Sequence, residues 1–493
     1  RNKNRSRTHL PATHKKTRTN SRTRRTGNTT TKPTRIQQLR LLPFMQAHNS
    51  LPKLRRNTNI PQIQRPVLLL VGILVFAGIV FLFTVFKMPR AELARNQLIL
   101  VIAIGIVLRV LMLFTAPILE DDYFRYLWDG AVTANGINPY KYSPEEVLQE
   151  KDVPLELKEL AEESGDIIHG INHPEVRTIY PPVAQAFFAV SYWLDSWSLT
   201  TWKLILIVID LATLSLIFNA LGMLKLPNSL LIIYWWNPLL LKEIFNSGHM
   251  DVLVFPFVLS SLIMATQNKH LRSTFSLIIG LGIKLWPAFL LPIIIRPLLS
   301  KPKQLLSVLV LAAVCIGVLF LPIYYSGLDD SSGFIAYGQS WQNNDSVFRI
   351  LVYLSDLGLD LLGYETFHKY SVARYIVVAL LGLWILFVTF GKTFKGQDLF
   401  SKSLFIVAFA FLVSPTQFPW YYTWLIPLLA IKPRFSLLLL TVLLPLYYLR
   451  YYFEPRGQLE IFTNVIIWIE FVPVWALLLW EWRKGYNLKV HSK

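Results

Sequence analysis

Long, almost uninterrupted apolar stretches alternate along this chain with short polar segments. Val67–Phe86, Leu98–Thr115, Leu204–Leu221 and Leu305–Tyr325 are the clearest of them. Each is close to the ~20 residues that cross a bilayer as a helix. A transmembrane barrel would instead show segments of about ten residues with alternating character. The pattern predicts spans at 67–86, 97–116, 203–222, 229–246, 250–267, 273–284, 286–297, 304–325, 371–391, 398–414, 419–431, 434–450 and 461–480. The short pair 273–284 and 286–297 reads either as two tilted helices or as one broken hairpin. The expected fold is therefore an all-α polytopic membrane protein with about 12–13 transmembrane helices.

Basic residues in the short connections orient these spans, because Lys and Arg accumulate on the cytoplasmic side. Lys87/Arg90/Arg95, Lys269/Arg272, Arg296/Lys301/Lys303, Lys392/Lys395, Lys432/Arg434 and Arg483/Lys484 form the clusters. Placing all of them in the cytoplasm makes the spans from 97 onward alternate without conflict. It puts a large loop, 117–202, on the external face. The span 67–86 is the one conflict, because it would leave the basic N-terminal segment outside.

Composition supports a membrane protein: 53% of the 493 residues are hydrophobic and only 16% are charged, against about 25% charged in soluble domains. The net charge of +19 suggests nucleic acid until its distribution is considered. Seventeen of the 49 Lys and Arg lie in Arg1–Arg65, which has no Asp or Glu, so 32 remain against 30 acidic residues. The rest of the chain is nearly neutral, and no nucleic-acid partner is expected. Residues 1–65 are expected to be a disordered basic tail. The chain opens with Arg and its first Met is Met45, so the tail is taken as an upstream extension, the other reading being a segment that binds anionic lipid or nucleic acid. Residues 66–96 then form an extra apolar helix and a short basic loop, 97–482 the transmembrane domain, and 483–493 a cytoplasmic tail. Cys315, the single cysteine, sits in an apolar run and is expected only to pack.

Candidate chemistry clusters on the predicted external side. Between Pro117 and Tyr180 there are fourteen Asp/Glu and five Lys/Arg. The loop opens on Glu120-Asp121-Asp122, followed by Arg125, Trp128 and Asp129. Three adjacent carboxylates in a partly desolvated place either bind a divalent cation or raise one another's pKa. Both arrangements suit a general base or a metal-assisted transfer. Arg125 would face Asp121 and Asp122 if this stretch is helical. Asn138-Pro139-Tyr140, Asn172-His173-Pro174 and Tyr180-Pro181-Pro182 are turn formers beside aromatics. Gly248-His249-Met250-Asp251 could ligate a metal or orient a substrate. Lys284, at the junction of two apolar segments, would be costly at membrane depth without a partner, and a lipid phosphate is a natural one. Arg109 and Asp210 are further charges inside spans, and either could pair structurally within the bundle. Trp341, Asn343, Gln417 and Trp420 look like pocket rims. No G-x-x-x-x-G-K-[ST] or G-x-G-x-x-G phosphate cradle is present, so a nucleotide cofactor is not expected.

At these residues the chain resembles the GT-C superfamily of integral-membrane glycosyltransferases. It looks most like polyprenyl-phosphate-mannose-dependent mannosyltransferases and the related glycosyltransferase 87 proteins. The resemblance rests on Glu120-Asp121-Asp122 soon after a span, Arg125 to Gly130, Asn138-Pro139-Tyr140, Ile179 to Pro182 with Gln185, Gly248 to Asp251 and Lys284-Leu285-Trp286-Pro287. It covers about Leu98 to Trp480 and leaves the basic tail and the span 67–86 outside. It implies inverting transfer of a hexose, mannose favoured, from a polyprenyl-phosphate donor to a lipid or glycan acceptor, with a bacterial plasma-membrane location and an external site. Asp121 or Asp122 would take the acceptor proton or hold a cation such as Mg²⁺ or Mn²⁺. Lys284, Arg125 and His249 would neutralise the leaving phosphate. Glu120, Trp128, Asp129, Asn138, Tyr140, His173, Tyr180, Asp251, Trp341, Asn343, Gln417 and Trp420 would shape the substrate pocket. The competing classes are a lipid or sugar transporter or flippase, and a sugar-polymer ligase.

Overall fold

The computed structural model describes residues 65–149, 152–329, 331–364 and 368–484. The basic tail lies outside these residues. Among those described there are no strands, only one isolated bridge between Asn343 and Thr416, and the all-α polytopic expectation holds. Seven helices are long and apolar enough to cross a membrane: Val67–Lys87, Arg95–Leu113, Leu199–Met223, Pro302–Ser326, Lys369–Phe390, Phe435–Arg456 and Leu459–Lys484. Each coincides with a predicted span to within a few residues.

The other six predicted spans take a different form. Pro238–Asn246 and Met250–Thr266 make one pair bent by 103°, and His270–Leu281, Trp286–Leu298, Leu399–Val413 and the 419–431 segment are shorter helices or runs of helical pieces. Prolines stand at most of the breaks: Pro238, Pro256, Pro287, Pro292, Pro297, Pro419 and Pro427. Each removes a backbone donor and crowds the preceding turn. Lipid offers no partner for the groups this frees, so broken helices persist at membrane depth only inside protein or along a cavity. Burial bears this out. Leu230, Ile233, Tyr234, Trp235, Ile244, Met250 and Val252 are fully covered, whereas Leu69, Phe76, Val107 and Val318 on the long helices are more than half exposed. The continuously apolar runs therefore hold two populations, long helices that are mostly exposed and a broken inner core, with Phe435–Arg456, 56% buried, belonging with the core.

A buried ion pair ties the core together. Arg109 donates from Nε to Asp210 at 2.5 Å and lies over the Trp235 ring, and Tyr234 donates to the same carboxylate. These two intramembrane charges pair structurally within the bundle.

The 117–202 loop is itself a small helical unit. The Asp122–Ala134 helix packs along Pro182–Leu194. At Gly130 a Cβ would come within 2.5 Å of the Phe188 carbonyl oxygen, so only glycine allows this approach. Phe124, Trp128, Leu157, Leu160, Ile168 and Ile171 form the loop's own apolar core. This core holds the start of the Asp122–Ala134 helix, where the acidic triplet lies.

Candidate functional site

The acidic triplet follows a turn whose carbonyls are held by side chains of neighbouring segments. The Arg95–Leu113 helix ends before Pro117, and Lys203 Nζ donates to the carbonyls of Met112 (3.3 Å) and Thr115 (2.7 Å). Asn246 Nδ2 donates to Thr115 Oγ1 (2.8 Å) and the Ala116 carbonyl (3.2 Å). The three carboxylates then part company. Glu120 turns inward, where Lys242 Nζ donates to it and Ser247 Oγ donates at 3.1 Å. Burial alone would raise its pKa, but Lys242 and His249 beside it hold it at about 2.

Asp121 and Asp122 stay together. Asn172 Nδ2 donates to both, at 2.7 Å to Asp121 Oδ1 and 3.1 Å to Asp122 Oδ1. Burial and the neighbouring Asp122 charge raise Asp121 to about 6, against the restoring effect of Asn172. Burial pushes Asp122 the same way, but His249 and Asn172 outweigh it and the carboxyl ends below its usual range. The His249 Nδ1 atom lies 3.6 Å from Asp122 Oδ2. Two neighbouring carboxyl groups with pKa values driven apart make a recognisable acid–base pair.

Behind them lies a buried polar cluster that sequence reasoning only half saw. His249 is fully buried and stacked on Trp420 at 4.3 Å. Its Nε2 lies 3.7 Å from Glu243 Oε2, and neither ring nitrogen has a hydrogen-bond partner. Glu243 Oε1 accepts from Tyr448 at 2.7 Å, while its Oε2 is unpaired. Lys242 donates to Tyr448 as well as to Glu120. Gly248, at φ +79°, makes the turn that aims His249 inward. Lys242 and Glu243 were missed although both lie inside a predicted span, and a charge at membrane depth is a functional signal by default.

Lys284 is paired within the protein. Its Nζ lies 2.8 Å from Asp251 Oδ1 and 4.4 Å from the Tyr421 ring centre, and Trp424 Nε1 donates to the same Asp251 oxygen at 2.6 Å.

Two cavities meet here. A polar one of about 610 Å³ is lined by Glu120, Asp121, Asp122, Asn172, His173, His249, Asn343 and Arg450, with Tyr180, Trp341 and Trp420 among its aromatics. An apolar one of about 380 Å³ is lined by Trp286, Phe289, Phe334, Phe411 and Trp424, with Lys284 on its wall. Asp122, Tyr180, Tyr337, Trp420 and Tyr421 border both.

Several predicted pocket residues line neither cavity. Arg125 does not face the aspartates. It is buried and donates to the carbonyls of His173 (2.9 Å) and Val176 (3.0 Å), closing the loop. Trp128 belongs to the loop core, and Asp129 accepts from Gln185 at 3.1 Å. Asn138 donates to Pro322 O and Ser326 Oγ, fastening the loop to the Pro302–Ser326 helix, and Tyr140 donates to Tyr180 O within the loop. Gln417 accepts from Ser346 and donates to the carbonyls of Phe411 and Leu412. Turn-forming and amide residues beside aromatics serve architecture as readily as recognition, and their local sequence does not separate the two. Arg450 is the opposite case, lining the polar cavity without having been singled out among the expected site residues.

Among the described residues, one group of side chains could hold a metal ion. Glu120, Glu243 and His249 each offer a ligand atom, all within 4.8 Å of one another. Asp121 and Asp122 do not belong to that group.

A membrane-embedded chain with paired aspartates between a polar and an aromatic cavity has the makings of a glycosyl-transfer enzyme. The comparisons specify the class. The family model described as "Alpha-(1->6)-mannopyranosyltransferase, N-terminal domain" (MptA_B family) matches residues 44–299. That is more than half of the chain, and the protein belongs to this family of mannosyltransferases. The match begins at residue 44 and takes in the Val67–Lys87 helix, which the expected resemblance left outside. It includes Asp121, Asp122, Lys242, Glu243, His249 and Lys284 and ends before Trp341. No curated protein and no solved structure matches the chain.

Proposed function

We propose that this mannosyltransferase draws its sugar from a polyprenyl-phosphate donor and passes it, with inversion, to a hydroxyl of a lipid or glycan acceptor. The observation that carries the reading is that Asp122 borders both cavities. The aromatic cavity suits the first isoprene units of the donor, and Lys284 on its wall suits the phosphate. The polar cavity suits a hydrated acceptor. The reacting atoms then meet beside Asp121 and Asp122. The acceptor hydroxyl gives its proton to Asp121 as its oxygen bonds to the anomeric carbon. The bond from that carbon to the phosphate oxygen breaks, and the lipid phosphate leaves with the electron pair. Positive charge at Lys284 stabilises that leaving group where its charge develops. A single displacement of this kind inverts the anomeric centre. To form the α-(1→6) linkage in the family's description, the donor must therefore carry a β-linked phosphate.

The external face is supported by helix tracing. The segments at 114–122, 247–251, 282–286 and 414–420 join their helices at the ends opposite the basic connections at 88–95, 267–272, 296–303 and 432–434. A divalent cation would be held by Glu120, Glu243 and His249, where Glu243 Oε2 and both His249 ring nitrogens are unpaired.

The test is incubation of membranes with labelled polyprenyl-phosphate mannose or glucose and identification of the product. Label should pass from the mannose donor in the native protein and not in Asp121→Asn/Asp122→Asn. Full transfer by that double variant would overturn the assignment of the base.

A further inference from the structure

One polar cavity lies far from this site and remains without a role. The hairpin Phe255–Thr266 and His270–Leu281 begins beside Asp251 and returns to Lys284, so both of its ends belong to the site just described. Its turn, 267–269, is at the far end. Twelve helical residues at 1.5 Å each put it about 18 Å away. There a cavity of about 310 Å³ is lined by Lys269, His270, Arg272, Gln304 and Ser307, among others.

Three features of this cavity favour an anion. First, two helices start at it, His270–Leu281 and Pro302–Ser326, and neither has a side-chain cap. The first backbone N–H groups of a helix lack intrahelical partners, and the dipole makes that end positive. An anion-binding position results wherever something can reach it. Second, the charge is one-sided. From Val252 to Leu328 the chain has no Asp or Glu, while Lys269, Arg272, Lys301 and Lys303 flank the two helix starts. Third, His270 is only 8% exposed, lines the cavity, and has no hydrogen-bond partner at either ring nitrogen. A buried polar group left unpaired costs free energy, and a ligand that accepts a hydrogen bond from the imidazole would remove that cost. Burial, reinforced by Lys301, holds the imidazole below its ordinary pKa. A neutral ring can still donate one hydrogen bond.

We propose that this cavity binds a phosphoryl group, with His270, Arg272, Lys269 and the two helix N-termini as its donors, on the membrane face opposite the mannosyl-transfer site. The group is carried either by an anionic phospholipid headgroup or by free phosphate. The turn lies where a headgroup of the opposite leaflet would reach it, and juxtamembrane cations attract such lipids.

The experiment uses the full chain in neutral detergent. Native mass spectrometry follows the binding of phosphatidylglycerol and phosphatidylcholine. Thermal unfolding is followed with and without inorganic phosphate. The variants are Arg272→Ala and Gln304→Glu, both at exposed positions, the second placing a carboxylate in the cavity. If a lipid headgroup is the ligand, the native chain retains one phosphatidylglycerol in preference to phosphatidylcholine. Each variant then loses at least about fivefold of that preference. If free phosphate is the ligand, lipid preference is absent, but phosphate raises the Tm of the native chain and not of either variant. Equal behaviour of the native chain and both variants in both measurements would overturn the proposal.

Discussion

The environment of Asp121 makes its pH profile the sharpest test of the transfer chemistry. Burial and the Asp122 charge raise its pKa to about 6, and a general base works only when deprotonated. At about pH 5 roughly a tenth of Asp121 is ionised and at about pH 7 roughly nine-tenths, so kcat/KM should rise about ninefold between them and then level off. The size of the Asp122 contribution follows from Asn172. Its one amide nitrogen reaches both carboxylates, at 2.7 and 3.1 Å, so those two oxygens are less than about 6 Å apart. At about 5 Å and an effective dielectric near 20, two unit charges repel by ~3 kcal/mol, an upper value for a site open to a water-filled cavity. Asp122→Asn should therefore lower the midpoint of the acid limb by about one to two pH units in whatever activity remains. Asn172→Ala removes a donor that steadies the carboxylate, so the limb should move up. The assay is transfer of labelled mannose from polyprenyl-phosphate mannose in detergent, between about pH 5 and about pH 8. A profile flat across that range, or an acid limb unmoved by both variants, would refute the assignment of Asp121 as base.

Three further outcomes follow from the buried cluster. Lys242→Met leaves Glu120 and Glu243 buried without their cation, and breaking a pair of this kind costs about 3–5 kcal/mol. Its Tm should fall sharply, and Lys242→Met/Glu120→Gln should recover part of the loss. Lys284→Ala should reduce kcat for the lipid-phosphate donor, with Lys284→Arg retaining part of it, since the charge is needed most as the phosphate leaves. If Glu120, Glu243 and His249 hold a divalent cation, metal analysis of the purified chain should find it, and Glu243→Gln should lose it. Equal metal content in both proteins would remove the cation from that place.

How much of this was legible in the sequence depends on the kind of residue. The seven long helices were plain, because a chain crossing lipid must be continuously apolar and satisfy its own backbone. Six inner segments carried the same apolar signal for a different reason, burial against protein. Only their prolines hinted at the breaks. Asp121, Asp122, His249 and Lys284 stood out as charged or titratable groups at span ends, and they do converge. Arg125, Asn138 and Gln417 were equally conspicuous but spend their donors on backbone carbonyls, the first two on distant segments and Gln417 on the helix end just before it. That use depends on tertiary neighbours and leaves no local pattern. Lys242 and Glu243 were hidden by the hydrophobicity around them.

The way the carboxylates are separated also bears on why the triplet has three. Glu120 is committed to Lys242 and Ser247, so its charge is compensated and it is a poor proton acceptor. Asp122 faces His249 at 3.6 Å and shares Asn172, and it too stays ionised. Asp121 has Asn172 but no cation of its own, and it bears the repulsion of the charge next to it. Gaining a proton is therefore least costly at Asp121. The same arrangement gives Asp122 a different use, as the fixed negative charge at the border of both cavities. A developing positive charge on a sugar ring there would be attracted to it, and a donor phosphate would be kept toward Lys284. Moving either function to the other aspartate would require exchanging the His249 contact as well, which a swap of side chains between neighbours in sequence cannot do.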